Sequence, residues 1–234
     1  MQSGQKLGSI GSQLGMLADA LGEALGSGIA SGMDPAGADF GIKYGHQAQD
    51  FAKGMADATD AHEAVGFMLE ATGYNYENAD AASTSGGSGP TGKMGAAPGK
   101  SAVADATGIN GAMVPPPAKW ALIQTFLGPM WSWPSGNASM MRITAAQWRN
   151  FANGLSAFDG EMSVLKGTVS QQHIPEAGKI GDALTDLAEG VDNMAQSATA
   201  MAKAVDDFAR GVQDTQDAIR DLMDRISLDG LWDT

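Results

Sequence analysis

The chain contains no cysteine among its 234 residues. Disulfide bridges, thiolate nucleophiles and cysteine-based metal sites are therefore excluded. The sequence also lacks a segment with the basic stripe that binding to a phosphate backbone requires, and its formal net charge is -13. We therefore do not expect nucleic acid as a partner.

Long apolar runs are missing as well. The least polar stretch, Trp120 to Pro134, is shorter than the roughly 20 residues that a membrane-spanning helix needs. Met1 to Leu25 contains Lys6 as its single cation and has no apolar block, so it lacks the features of a secretory signal. We predict neither a membrane-spanning helix nor a cleavable signal peptide.

Apolar residues are instead spaced by three and four along four stretches, the pattern of amphipathic helices that pack lengthwise. Leu7 to Leu25 and Phe40 to Tyr76 predict an antiparallel hairpin, with Asp34 and Pro35 opening its second helix. Glycines weaken the first helix by about 1 kcal/mol each relative to alanine, so another element should lie close against them. These glycines are Gly4, Gly8, Gly11, Gly15 and Gly22.

Met141 to Val169 and Ile180 to Ile226 predict a second hairpin, with a break at His173 to Pro175. Ser135 to Asn137 can cap its first helix, which should start near Ala138. The stripe expected on its second helix is Ile180, Leu184, Leu187, Val191, Met194, Ala198, Met201, Val205, Phe208, Val212, Thr215, Ile219, Leu222 and Ile226.

The predicted fold is all-α. Two long antiparallel helical hairpins, residues 1–80 and 118–234, form an intramolecular four-helix bundle. A flexible Gly/Ser/Pro-rich linker, residues 81–117, joins them. A self-sufficient bundle of this kind should be a monomer, which size-exclusion chromatography with light scattering would check.

No chemical site is predicted. Gly92 and Lys93 belong to a partial phosphate-binding loop in which Met94 replaces the hydroxyl that holds magnesium. The three histidines, His46, His62 and His173, lie on different elements and are interpreted as ordinary surface or core residues. We therefore expect a non-enzymatic protein with no catalytic residues, no cofactor and no metal.

The tryptophans are candidates for aromatic packing or for an interaction segment. Trp120, Trp131 and Trp133 precede the third long helix, and Trp148 lies within it. Their amphipathic rings can close one end of the bundle or dip into a membrane interface. Lys119 is the single nearby cation for anionic lipid, so packing is preferred and membrane contact is not favoured.

Short motifs follow this order of elements: Asp34-Pro35-Ala36-Gly37, Phe40-Gly41-x-x-Tyr44, Trp133-Pro134-x-Gly136-Asn137, Trp148-Arg149 and Pro175-Glu176-Ala177-Gly178. The chain thereby resembles a tandem of the helical-hairpin proteins of the WXG family, substrates of type VII (ESX) secretion in actinobacteria. It is more closely similar to the WXG-like N-terminal domain of CpnT-like channel-and-toxin proteins. No Trp-x-Gly triplet occurs, so no residue is assigned the role of the family's hairpin-turn tryptophan.

The resemblance implies a secretion-targeting domain of a secreted toxin or effector. The family's export signal, Tyr-x-x-x-Asp/Glu beyond a helical hairpin, matches Tyr76 and Asp80. The partner it implies is the secretion ATPase, with a downstream toxin domain and small WXG-family proteins as further candidates. Such a protein is made in the cytoplasm and exported without a cleavable signal peptide to the cell envelope or medium.

Alternatives remain open. The domain could instead be part of an envelope channel or membrane-active assembly, which liposome flotation and leakage would test, or a helical partner-binding or chaperone-like module. For Tyr76 itself, the alternative is a helix-end tyrosine that packs on the bundle while Asp80 is merely solvated.

Overall fold

The structure of the chain is a computed structural model that describes residues 2–26, 28–89, 94–104, 108–128 and 131–228. Gly92 and Lys93, from the partial phosphate-binding loop, lie outside these ranges. Within the described residues, the β-type pairing consists of one isolated parallel bridge between Ile29 and Ile109. The all-α fold predicted from the apolar spacing is confirmed. The helices are α1 (Gln2–Leu25), α2 (Pro35–Ser83), α3 (Trp120–Leu127), α4 (Ala138–Ser156), α5 (Phe158–Ser170) and α6 (Ala177–Leu228).

The sequence predicted that two helices begin directly after the capping residues Asp34 and Asn137, and the structure confirms both positions. Helix α2 begins at Pro35, and the N–H of Gly37 donates to Oδ1 of Asp34 at 3.1 Å. Helix α4 begins at Ala138, and the N–H of Met140 donates to Oδ1 of Asn137 at 3.1 Å. In both places a side-chain oxygen accepts from a first-turn N–H that has no partner within the helix.

Helices α4 and α5 together correspond to the single third helix predicted from the sequence. Between them, Ala157 keeps helical backbone angles (φ -67°, ψ -23°) and its N–H donates to the carbonyl of Gly154 at 3.2 Å. This is the tighter hydrogen bond of a 3₁₀ turn, so the backbone stays helical across the joint.

The contacts divide the chain into two compact units. Unit 1 consists of Met1–Ala20, Phe51–Ala104 and Phe151–Ser197. In it α1 runs antiparallel to α2, and segments of both predicted hairpins pack together. Phe51 of α2 lies edge-on to Phe151 of α4 with 5.5 Å between ring centroids. The buried core includes Leu7, Ile10, Leu14, Met55, Leu155, Phe158, Met162, Leu165, Leu184 and Val191.

Part of the predicted glycine face of α1, at Gly4 and Gly11, meets α2 at close range, whereas a Cβ on Gly8 would have no neighbour within 4 Å. A Cβ on Gly4 would lie 2.5 Å from the carbonyl oxygen of Gly66, and one on Gly11 would lie 3.1 Å from that of Thr59. A Cβ on Gly66 would lie 2.7 Å from the backbone nitrogen of Gly8. The helix propensity lost at these positions is therefore offset by backbone-to-backbone packing.

Gly66→Ala should destabilise the fold by about 1–3 kcal/mol, because the new methyl group meets backbone atoms that cannot rotate away. Gly8→Ala is the matched control, since an added Cβ there has no neighbour within 4 Å. It should stabilise the helix by up to about 1 kcal/mol. Chemical denaturation of both variants checks this pair, and effects of the same sign and size would show that α1 and α2 do not pack this closely.

Unit 2 consists of Leu21–Asp50, Asp105–Asn150 and Ala198–Thr234. Phe40 of α2 stacks on Phe208 of α6 with 4.0 Å between ring centroids and 2° between ring planes. Arg149 of α4 forms an ion pair with Asp206 of α6. The buried core includes Leu21, Leu25, Tyr44, Ile109, Trp120, Trp133, Met141, Trp148, Val205 and Val212.

Residues 108–114, within the predicted linker, contribute to unit 2. The carbonyl of Ile109 accepts from the N–H of Ala30 at 3.2 Å, and the N–H of Asn110 donates to the carbonyl of Leu25 at 3.1 Å. The Ile109 side chain is 1% exposed. This part of the segment thus packs on the turn between α1 and α2, whereas the predicted domain boundaries themselves stay a prediction.

The stripe predicted on α6 is correct in its first part and wrong at Thr215 and Leu222, while Ile219 between them packs against a buried cluster as expected. Leu184, Val191 and Val205 are buried as expected. Further along, Gln216 and Met223 are buried, whereas Thr215 and Leu222 are exposed. The buried stripe has therefore moved on by one residue. Among the described residues, no helix combines the length and the apolar character needed to cross a bilayer.

Candidate recognition site near the end of helix α2

The two residues of the proposed export signal lie on the last turns of α2, within unit 1. Helix α2 continues to Ser83, so Tyr76 and Asp80 are one helical turn apart on the same face. The side chain of Tyr76 is 43% exposed, and Asp80 is exposed as well. A phenol ring and a carboxylate are thus presented together at the surface.

The hydroxyl of Tyr76 donates a hydrogen bond to Oε2 of Glu176, with 2.7 Å between the oxygens. This bond and the negative charge of Glu176 raise the pKa of the Tyr76 phenol, because a phenolate beside a carboxylate is disfavoured. The phenol is therefore kept protonated, and its oxygen still has a lone pair that can accept from a second donor.

Helix α2 ends one turn after Asp80, at Ser83. The carbonyl of Asp80 accepts from the hydroxyl of Ser83 at 2.9 Å and from the N–H of Thr84 at 3.1 Å. Gly86 then adopts φ +80°, a conformation in which a residue with a side chain would be strained. Both bonds are accepted by the carbonyl of Asp80, one of the last carbonyls of the helix. A carboxylate so close to a helix C-terminus is not favoured by the helix dipole, so Asp80 is not there to stabilise α2.

The tryptophans before α4 lie in two different surroundings within unit 2. Trp120 and Trp133 are buried and meet edge to face, with 5.8 Å between ring centroids. The Arg220 guanidinium lies 5.5 Å from the centre of the Trp133 ring. Trp131, by contrast, is 58% exposed. Trp120 and Trp133 therefore pack in the core, while Trp131 remains available at the surface.

Trp148 is fully buried in unit 2. Its indole N–H donates to the hydroxyl of Tyr44, at 3.0 Å. Burial raises the pKa of Tyr44 to about 12, and the hydrogen bond from Trp148 offsets that effect in part. The two motif residues Tyr44 and Trp148, which are 104 positions apart in the chain, thus form one buried pair.

The histidines do not converge. His62 is buried in unit 1, and its Nδ1 lies 2.7 Å from the carbonyl oxygen of Ala58, to which it can donate. Desolvation lowers the pKa of His62, so the neutral ring is favoured. His46 and His173 are exposed. No group of three or more histidines and carboxylates in the described part of the chain is placed to hold a metal ion.

Sequence reasoning missed two residues that connect distant motifs. Glu176 appeared only as part of a turn motif, although it is the partner of Tyr76. Gln216, buried on α6, donates from Nε2 to the carbonyls of Pro134 at 2.7 Å and Gly136 at 2.9 Å. Gln216 lies next to Thr215 of the predicted stripe but outside the stripe itself, so periodicity gave no signal for it. No local signal pointed to Glu176 as the partner of Tyr76 either.

Residues 113–227, which include α3, α4, α5 and nearly all of α6, match the family described as "WXG100 like domain". The outer membrane channel protein CpnT of Mycobacterium tuberculosis, like that of Mycobacterium bovis, is 27% identical over 161 residues, which cover 65% of this chain and 18% of CpnT. The putative NAD(+)--arginine ADP-ribosyltransferase Mav of Mycobacterium avium is 29% identical over 166 residues, covering 66% of this chain and 19% of Mav. No solved structure gives a significant match.

Residues 113–227 are therefore similar to WXG100-like domains, and the resemblance of the chain to CpnT-like proteins is confirmed. The family match, the similarity to CpnT and the helical fold together support a relation of this chain to type VII secretion. The chain spans about a fifth of the length of the curated relatives it matches.

Proposed function

We propose that this chain is a non-enzymatic secretion-targeting domain of a type VII secreted toxin or effector, and that it presents Tyr76 and Asp80 to the secretion ATPase. The observation that carries the proposal is the joint exposure of these two side chains on adjacent turns of α2. Neither residue is buried as a core residue would be. The family's signal lies beyond a helical hairpin, whereas Tyr76 and Asp80 lie on the last turns of the first hairpin's second helix, close to where that hairpin ends.

The relatives support a role in delivery. Their names describe a channel protein and a putative ADP-ribosyltransferase, and each is about five times longer than its matched part. A shared domain among proteins with such different named activities suits a common targeting step. We infer that the enzymatic or channel activity of such proteins resides outside this domain, and that the exported product reaches the envelope or the medium.

The packing of both hairpins within one chain suits this role. In unit 1, segments of α1 and α2 pack with segments of α4, α5 and α6. An intramolecular partner has a high effective concentration, so no separate chain has to be bound before export. A folded domain of this kind can present a helix surface to the ATPase as a single unit.

Export of a tagged chain from an actinobacterial host with an active ESX system tests the proposal. Tyr76→Ala and Asp80→Ala should each lower the ratio of secreted to cell-associated protein by about tenfold or more, because each removes a group that the ATPase would contact. Glu77→Ala is the matched control, since Glu77 is also exposed but points about 100° around the helix from Tyr76.

All three variants should melt like the parent protein, because these side chains are exposed at the end of a helix. A folded Tyr76→Ala or Asp80→Ala protein that is secreted as well as the parent would refute the proposed signal. If Glu77→Ala lowers export as much as Asp80→Ala does, the ATPase recognises the negative charge of this helix end and not the carboxylate at position 80.

A further inference from the structure

The hydrogen bond between Tyr76 and Glu176 connects the end of α2 with the start of α6. The two residues are 100 positions apart in the sequence, and the oxygens are 2.7 Å apart. Tyr76 comes from the first predicted hairpin and Glu176 from the second, and both belong to unit 1. One residue of the proposed export signal is thus held by the other hairpin.

The position of Glu176 is well defined by the start of α6. Its carbonyl accepts from the N–H of Ile180 at 3.0 Å, and the preceding Pro175 restricts the backbone. The N–H of Ala177 donates to the carbonyl of Ile174 at 3.1 Å. A carboxylate at a helix N-terminus is also favoured by the helix dipole. The acceptor for the Tyr76 hydroxyl is therefore placed by the fold of the second hairpin.

We propose that Glu176 is a positioning residue of the export signal, holding the Tyr76 phenol so that the ATPase meets one surface held in place by both hairpins. This inference rests on the proposed function. The groups that the ATPase would contact are the Tyr76 ring and the Asp80 carboxylate, while Glu176 acts only by accepting the hydrogen bond from the Tyr76 hydroxyl. The complement of the two contacted groups is a pocket with an apolar slot and a cationic side chain such as arginine.

The arrangement makes recognition depend on folding. A free tyrosine side chain samples several rotamers, and ordering it on binding lowers affinity by about two- to tenfold. Glu176 imposes that order in advance, but only when α6 has started correctly and lies against α2. A chain with an unfolded second hairpin would still carry Tyr76 and Asp80 and yet be a poorer substrate for export.

The test uses the full chain in the export assay, with Tyr76→Phe, Glu176→Ala and Glu176→Gln. Tyr76→Phe and Glu176→Ala each remove the hydrogen bond and should lower export by about two- to tenfold, less than Tyr76→Ala does. Glu176→Gln keeps an acceptor oxygen and should restore most of the export. The double variant Tyr76→Phe with Glu176→Ala should be no worse than either single variant, since both remove the same contact.

Two controls and one spectroscopic signature separate positioning from a loss of folding. Tyr74→Phe removes a hydroxyl two residues earlier, and Asp182→Ala removes an exposed charge from α6; both should be exported like the parent. Glu176→Ala should also move the absorbance titration of the Tyr76 phenol to lower pH, because the carboxylate that raises its pKa is gone. The Tyr76 contribution is obtained by subtracting the Tyr76→Phe titration.

The outcomes distinguish this inference from the proposed function. If Tyr76→Ala and Asp80→Ala block export while Tyr76→Phe and Glu176→Ala are secreted normally, the positioning role is overturned and the export signal stands. If the two alanine variants of the signal are secreted normally, both are overturned. An unchanged phenol titration in Glu176→Ala would also contradict the positioning role.

Discussion

Replacing Trp148 by alanine is expected to cost about 3–5 kcal/mol of folding free energy, because removing a fully buried indole leaves a cavity in the core of unit 2. For a chain of this length, each kcal/mol lowers the melting temperature by about 2–4 °C, so a fall of about 6–20 °C should follow. Thermal melts followed by circular dichroism measure it.

Two further variants separate the loss of stability due to burial of Trp148 from that due to its hydrogen bond with Tyr44. Trp131→Ala removes the same side chain from a site that is 58% exposed and should change stability by about 0.5 kcal/mol or less. Tyr44→Phe takes away the hydroxyl that accepts the Trp148 N–H and should cost about 1–3 kcal/mol. Equal melting temperatures for the Trp148 and Trp131 variants would contradict this description of the core.

Ile109→Ala is expected to cost about 2–5 kcal/mol, although the residue lies in a stretch rich in glycine, serine and proline. Its side chain is 1% exposed, and its neighbours bond to the backbone around Leu25 and Ala30. Urea denaturation gives the free energy of unfolding. The matched variant is Val103→Ala, because Val103 belongs to the same predicted linker but is 45% exposed.

Val103→Ala should leave stability within about 0.5 kcal/mol of the parent. If Ile109→Ala lowers the free energy of unfolding by no more than Val103→Ala does, residues 108–114 do not contribute to the folded core. The larger expected loss would instead show that part of the segment between the hairpins is as necessary to unit 2 as the helices.

Local chemistry explains what could be predicted from the sequence. The caps formed by Asp34 and Asn137 join atoms only three residues apart, so a short pattern was enough to place the starts of α2 and α4. The glycine face of α1 was equally visible, since glycine in a helix needs a compensating contact.

The error near the end of α6 has a geometric cause. The predicted stripe takes a seven-residue step from Thr215 to Leu222 before it ends at Ile226, whereas a straight helix has 3.6 residues per turn and drifts by about 20° per heptad. By Gln216 and Met223 the buried face has moved on by one residue. Gln216 was not part of the predicted stripe, and its two backbone acceptors explain why a polar side chain is tolerated at this buried position.

Long-range pairing could not be predicted from a single sequence. Periodicity placed Tyr76 near the end of α2, but nothing local connects it with Glu176, or Ile109 with Ile29. In the same way, Tyr44 and Trp148 were recognised as motif residues without any sign that they touch. These pairings arise from the tertiary packing of helices and turns that lie far apart in the chain.

In the proposed function, a carboxylate at position 80, one turn from Tyr76, is recognised for export. A comparison of the secreted fraction of Asp80→Asn with that of Asp80→Glu in the same host tests this recognition. Asparagine keeps the shape of the side chain and removes its charge, whereas glutamate keeps the charge. We expect Asp80→Glu to be secreted and Asp80→Asn to be retained in the cell. Secretion of a folded Asp80→Asn protein at the parent level would refute the proposed recognition of the carboxylate.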